Sequence, residues 1–298
     1  MAVAMLPMSS TSGILLQILG KYTTKLSEYK RNYDIFINFA PTMTRYLLFI
    51  SYDGTSYHGW QIQPNGNSVQ AELQRALSLF LRKNIMVYGA GRTDAGVHAR
   101  RMAVHFDWNG EPLQCQQTIY RLNRILPRDI SAISMVEVPN DLHARFSAVA
   151  RTYHYYIHTR KDPFLRHYSL QVNYPLDFPL MNEAAKLFLT QDDFAAFCKA
   201  GADNKTTLCR VSKAEWVDCG DGRWRFEITA NRFLRNMVRA AVGTLMEVGR
   251  HKMSIEQMRE VLRNGSRGDA GESMPAHALF LEDVTYDLPA SPEVGKEK

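Results

Sequence analysis

Cysteine is scarce in this chain and nowhere grouped for chemistry. Cys115, Cys198, Cys209 and Cys219 include no Cys-x-x-Cys pair, and no histidine cluster has zinc spacing. Disulfide-stapled and zinc-finger classes are thereby excluded, which leaves isolated reduced thiols, as in a cytosolic protein. Long hydrophobic runs are also missing: none approaches the ~20 residues of a membrane-spanning helix. Gly13 to Leu19 is apolar but short, with no basic residue before it, so it makes a poor secretory signal. Glu28 and Asp34 interrupt the basic residues Lys21, Lys25, Lys30 and Arg31, which weakens a transit-peptide reading. The sequence has no internal repeat and no strict alternation of strand and helix.

What remains is a globular composition. The 298 residues are 45% hydrophobic and 22% charged, enough to build a full core. The net charge of +6, with arginine outnumbering lysine, suggests a polyanionic partner, since arginine suits forked contacts to phosphate. A clean pattern begins at Met43. Residues 1–42 read as a dispensable extension or a mis-assigned start and are expected to be poorly ordered; residues 289–298 read as a flexible tail. Between them, residues 43–150 form a first half and 151–288 a second.

The element pattern is mixed. Arg45 to Tyr52 reads as a buried strand, and Asn67 with Gln70 resembles a capping box before a helix carrying Val69, Leu73, Ala76, Leu77 and Phe80. Strands follow at Met102 to Asp107 and Ile130 to Val138, with a helix between them from Thr118, stopped by Pro127. The second half opens with a strand at Thr152 to His158 and a helix at Leu180 to Leu189. Ala214 to Asp218 pairs across an Asp-Gly turn with a half-buried strand in which Trp224, Phe226 and Ile228 alternate with Arg225, Glu227 and Thr229. Residues 232–248 read as the clearest helix, with Leu234, Met237, Ala241, Leu245 and Val248 on one stripe and Arg232, Arg235 and Arg239 on the other. That basic stripe is either an ordinary solvated face or the lining of a phosphate groove. Ser254 and Gln257 cap a last helix ending at Asn264-Gly265. The fold class is therefore α+β: sheets flanked by helices.

One loop concentrates the chemistry. Gly89-Ala-Gly-Arg-Thr-Asp-Ala-Gly-Val-His98 places Asp94 among glycines at 89, 91 and 96. On the loop alone, a surface turn capped by an aspartate is as good a reading as a reactive carboxylate.

The wider pattern separates them. Tyr52-Asp53-Gly54-Thr55 with Gly59-Trp60-Gln61, Gly91 to His98, and His143-Ala144-Arg145-Phe146-Ser147-Ala148 occur in order. Arg151-Thr152-Tyr153, Asp193-Phe194-Ala196-Phe197, Phe233 with Met237-Val238-Arg239, and Pro275 to Leu281 follow. Together they resemble the tRNA pseudouridine synthase A (TruA) family from about Met43 to Tyr286. The pattern departs at Ala278, where glycine is expected; His58 is neutral.

The resemblance implies an isomerase turning uridine into pseudouridine in the anticodon stem-loop of tRNA, at tRNA positions 38, 39 and 40. It implies two α+β halves whose antiparallel-rich sheets join, an active cleft between them, a cytoplasmic homodimer, and no metal, organic cofactor or membrane. Asp94 matches the family's catalytic aspartate, acting as nucleophile or as stabiliser of positive charge on the sugar. Arg239 matches the arginine paired with it, and Tyr153 the tyrosine that stacks on the target base. Arg92 is the candidate for opening or replacing the flipped base, and His98 for a loop-stabilising hydrogen bond. An inert tRNA-binding scaffold, or the same chemistry on another RNA, are the rival readings; retention of Asp94 beside Arg92, Tyr153 and Arg239 disfavours the first.

Overall fold

The apolar runs read from the sequence become the centre of one mixed sheet. A computed structural model of the protein describes residues 43–64, 66–199, 201 and 205–287; the expected extension and tail, 1–42 and 289–298, lie outside the described residues. Among the described residues, 44–108 and 112–287 belong to one compact unit, within which every contact below lies.

Nine strands are found among the described residues: β1 (Thr44–Tyr52), β2 (Tyr88–Gly89), β3 (His98–Trp108), β4 (Ile130–Val138), β5 (Ala148–His158), β6 (Leu170–Gln171), β7 (Val211–Asp218), β8 (Arg223–Ala230) and β9 (Leu279–Tyr286). The main order is β4-β1-β3-β9-β5-β8-β7, with β2 beside β3 and β6 beside β5. Pairing is antiparallel except at β3–β9 and β5–β6. The last strand thus enters between the two halves of the chain and joins their sheets. Among the described residues five α-helices flank it: α1 (Val69–Leu81), α2 (Cys115–Leu122), α3 (Phe178–Ala185), α4 (Met237–Gly249) and α5 (Ile255–Asn264).

Two cores result. In the first, Val69, Leu73, Ala76 and Leu77 of α1 and Leu122 of α2 pack with Leu47, Ile50, Val104 and Phe106. In the second, Met181 of α3, Ala241, Leu245 and Val248 of α4, and Met258 and Leu262 of α5 pack with Tyr155, Ile157, Phe226 and Ile228. Leu279 of β9 belongs to the second core and Leu281 to the first, and Tyr153 packs against both. The seam between the cores therefore runs beside Tyr153.

Several sequence expectations need correction. The cap of α1 is Ser68, whose hydroxyl accepts from Ala71 N, not Asn67. Gln70 is engaged elsewhere, accepting from Ile62 N and donating to Val87 O. The helix expected over Leu180 to Leu189 is α only as far as Ala185 and continues as a 3₁₀ turn over Lys186–Thr190. Glu227 is buried rather than solvent-facing, because Lys213, Arg225 and His154 gather around it.

The helix expected over 232–248 begins only at Met237, because Asn236 takes a left-handed conformation (φ 69°). Such a residue costs about 1–2 kcal/mol and is tolerated best by glycine, asparagine and aspartate. Leu234 and Met237, on either side of it, are both buried, and burial of each contributes about 1.5–3 kcal/mol, so packing outweighs helical continuity. The capping box at Ser254 and Gln257 forms as the spacing indicates. Ala278 is the buried end of a 3₁₀ turn, Ala276–Ala278, and has no positive φ that would call for glycine.

Candidate active site

The loop bearing Asp94 is shaped by the segment after β1. Trp60 N donates to Thr93 O (3.2 Å), Gly96 N to Tyr57 O (3.4 Å) and Val97 N to Asp94 O (3.1 Å). The Thr93 hydroxyl pairs with the buried Tyr52 hydroxyl at 2.9 Å. These contacts demand close backbone approach. Gly59 has φ 95°, and a methyl group there would stand 2.4 Å from Thr93 O. Gly96 has φ 77° within the loop itself, whereas Gly91 faces open space and is not required sterically. Gly54, where a methyl group would stand 2.1 Å from Val97 O, and Gly59 thus let the segment after β1 lie directly on the loop.

His98 closes the loop's far end. Its buried ring accepts from Gly54 N at Nδ1 (3.0 Å), so Nε2 carries the proton and donates to His277 O (3.0 Å). Burial lowers its pKa, outweighing the raising influence of Asp53 and keeping the ring neutral. The ring also stacks on Phe280 of β9, centroids 4.5 Å apart. His98 thereby fastens the loop to the strand that joins the sheets.

The half-buried Asp94 carboxylate points toward two guanidinium groups. Arg239 Nη1 lies 3.6 Å from Oδ2 and Arg235 Nε 3.8 Å from Oδ1. The left-handed turn at Asn236 separates the two arginines, so they reach the carboxylate from different backbone: Arg239 from the first turn of α4, Arg235 from the segment before it. Arg239 is held in place, since its Nε donates to Met274 O and its backbone O accepts from Met274 N. Arg232 is not on a shared helical stripe with these two.

Tyr153 sits beside this group. Its ring meets Phe233 edge-on, centroids 5.1 Å apart. Burial, reinforced by the Asp94 charge, pushes its phenol pKa up, so it stays protonated at neutral pH. Arg92 is exposed, two residues before the acid, and among the described residues its side chain has no ion-pair or hydrogen-bond partner. The structure thus brings Asp94, Arg239 and Tyr153 together and adds Arg235, while Arg92 extends from the same loop into solvent.

One organiser is invisible to motif reasoning. The Arg151 guanidinium donates to four backbone carbonyls, those of Ala90, Arg145, Ala148 and Asn231. It ties the start of the Asp94 loop to the His143–Ala148 segment and to the end of β8. The adjacent Arg151-Thr152-Tyr153 string carries no hint of this role, because the partners are main-chain oxygens far apart in sequence.

A carboxylate flanked by two cations and a protonated phenol, reachable from solvent, can attack or stabilise an electron-poor carbon while a flat base lies on the ring. Comparisons with known proteins agree with that chemistry. The sequence matches the tRNA pseudouridine synthase family over residues 48–147 and 184–287. It is 52% identical over 245 residues to a protein of Bacteroides fragilis named tRNA pseudouridine synthase A, covering 82% of this chain and 97% of the relative. A protein of the same name from Bacteroides thetaiotaomicron is 52% identical over 82% of this chain and 91% of the relative. Another from Bacillus subtilis is 39% identical over 80% and 97%. With the loop, the acid and its arginines all inside the matched residues, the chain belongs to the tRNA pseudouridine synthase family.

Proposed function

We propose that the protein isomerises uridine to pseudouridine in the anticodon stem-loop of tRNA, at positions 38, 39 and 40, with Asp94 as the catalytic carboxylate. The reaction breaks the bond from uracil N1 to the ribose C1′, turns the base, and forms a bond from C5 to C1′. A proton leaves C5 and one ends on N1, so the composition is unchanged. The carboxylate either bonds to the ribose or offsets the positive charge that develops there. Arg239 and Arg235 fix its orientation. Tyr153 offers its ring face to the flipped uracil, whose unstacking costs a few kcal/mol. Arg92 enters the space that the base vacates. Residues 43–150 supply the acid and Arg92, residues 151–288 supply Tyr153 and Arg239, and the substrate lies between these halves. The setting is a cytoplasmic homodimer, as the resemblance implies.

The observation that supports this reading best is the pairing of Asp94 with two arginines beside Tyr153. The test is pseudouridine mapping of tRNA after incubation with the protein and with Asp94→Asn. New pseudouridine at positions 38–40, absent with a variant that still folds and binds tRNA, is the expected result. Turnover by Asp94→Asn at the normal rate overturns the assignment of the acid; product outside the anticodon arm overturns the target.

A further inference from the structure

Phe146 is 77% exposed, beside a guanidinium and at the edge of the Asp94 loop's supports. Its ring is not loose. It packs on His143, centroids 4.5 Å apart; His143 meets the buried His105 at 4.6 Å; His105 stacks on Tyr88 at 5.0 Å. Tyr88 itself leads through Gly89 into the catalytic loop. The turn that carries Phe146 is locked at both ends. Ser147 N donates to His143 O (2.9 Å), and His143 N donates to the Ser147 hydroxyl (2.9 Å). An ordered aromatic face held open to water is a binding platform before it is a packing residue.

The charge beside it has one sign. Arg145 lies over the Phe146 ring, 5.6 Å from its centroid. Its carbonyl is bonded to Arg151, which also bonds Asn231 O, next to Arg232. The Arg145 and Arg232 charges both bear on Arg151, and no carboxylate is prominent around it. The carboxylates of Asp107 and Asp283 are taken up by Arg45 and Arg101. Two guanidiniums, Arg145 and Arg232, thus lie about Arg151, with the flat Phe146 ring under the first; Asp141, the nearby acid in the chain, bears on Arg45 instead. A chain of alternating phosphates and bases fits both features.

We propose that Arg145, Phe146 and Arg232 form a grip for the RNA strand next to the target nucleotide, a base stacking on Phe146 while Arg145 and Arg232 hold the flanking phosphates. The proposal rests on the RNA-modifying function above and goes further by naming where the strand is held outside the reacting group. Arg151 is the scaffold of the grip, its own donors being spent on carbonyls. Because the same guanidinium bonds Ala90 O, the platform is tied to the loop that carries Asp94.

The test measures tRNA affinity at several salt concentrations, together with kcat and KM, for Phe146→Ala, Phe146→Trp and Arg145→Gln. Thermal melts and solution mass serve as controls. Phe146→Ala is expected to weaken tRNA binding about tenfold and raise KM with little change in kcat, since a base loses the aromatic face it stacks on. Phe146→Trp should keep the affinity. Arg145→Gln should lower the slope of log affinity against log salt by about one phosphate. Wild-type affinity and KM in both Phe146→Ala and Arg145→Gln, in a protein that makes pseudouridine, overturn the grip and leave the function standing. A change in solution mass with unchanged RNA affinity makes the patch a subunit contact and also overturns it. Lost affinity in Phe146→Ala while wild type makes no pseudouridine overturns the function and supports the grip.

Discussion

At the residue scale, the proposed chemistry turns on how Arg239 is used. One end of its guanidinium is spent on Met274 O and the other faces Asp94, so a planar fork serves two partners at once. Lysine is a point charge and cannot span both. Arg239→Lys is expected to lower kcat about tenfold while KM for tRNA moves little, because an ammonium cannot hold Met274 O and orient the Asp94 carboxylate together; tenfold corresponds to about 1.4 kcal/mol of barrier. Steady-state kinetics on a tRNA transcript read this directly, and an unchanged kcat would show that net charge alone suffices. Asp94, Arg239 and Tyr153 were legible in the sequence because each sits in a short string with fixed neighbours. Arg235 and Arg151 were not legible in these roles. The first depends on a left-handed residue beside it, the second on carbonyls contributed by segments 61 and 80 residues distant.

At the element scale, α4 and the irregular segment after α5 act as one device. Gly271 N donates to the Thr244 hydroxyl at 2.9 Å, and Met274 exchanges hydrogen bonds with Arg239. Gly243 lets that segment lie directly on the helix: a methyl group there would stand 1.8 Å from Glu272 O. Glycine to alanine inside a helix ordinarily stabilises by about 1 kcal/mol. Here the sign should reverse. Gly243→Ala must push the segment off α4, lowering the melting temperature and, through Met274, loosening Arg239 and reducing kcat. A raised melting temperature with normal activity would show that the segment shifts freely. The sequence conveyed the body of α4 through Met237, Ala241, Leu245 and Val248, which are all buried. It could not convey the start, since apolar spacing runs unbroken through Leu234 while Asn236 breaks the backbone. Strand β4 was legible to the residue, Ile130–Val138, from its β-branched and apolar run after Pro127, although a register shift against β1 breaks its alternation after Ala132.

At the scale of the whole molecule, the two cores are fastened where β3 runs parallel to β9, and histidines are buried at and near that junction. His98 bonds Gly54 N on one side and His277 O on the other. His105 accepts from Ala144 N at 3.0 Å, and burial, followed by the charges of Arg45 and His143, pushes its pKa down to about 4. A histidine with a lowered folded pKa takes up its proton more readily when the chain unfolds. Its destabilising effect is therefore absent above the ordinary value of 6.5 and grows as the pH falls from there toward the folded pKa. The paired carboxylates work in a lower window. Hydrogen bonds hold Asp107 below its ordinary value of 3.8, and its contribution is lost only as the pH falls below that value. Between pH 7 and 5 the loss of stability should thus belong to the buried histidines. The melting temperature is expected to fall across this range in the wild type. His105→Asn keeps an acceptor for Ala144 N but cannot be protonated, so its melting temperature should fall less steeply, whatever its value at pH 7. Calorimetry of both proteins at pH 7, 6 and 5 decides the matter. Parallel declines would place the proton uptake elsewhere, with His98 at the β3–β9 junction the next group to replace.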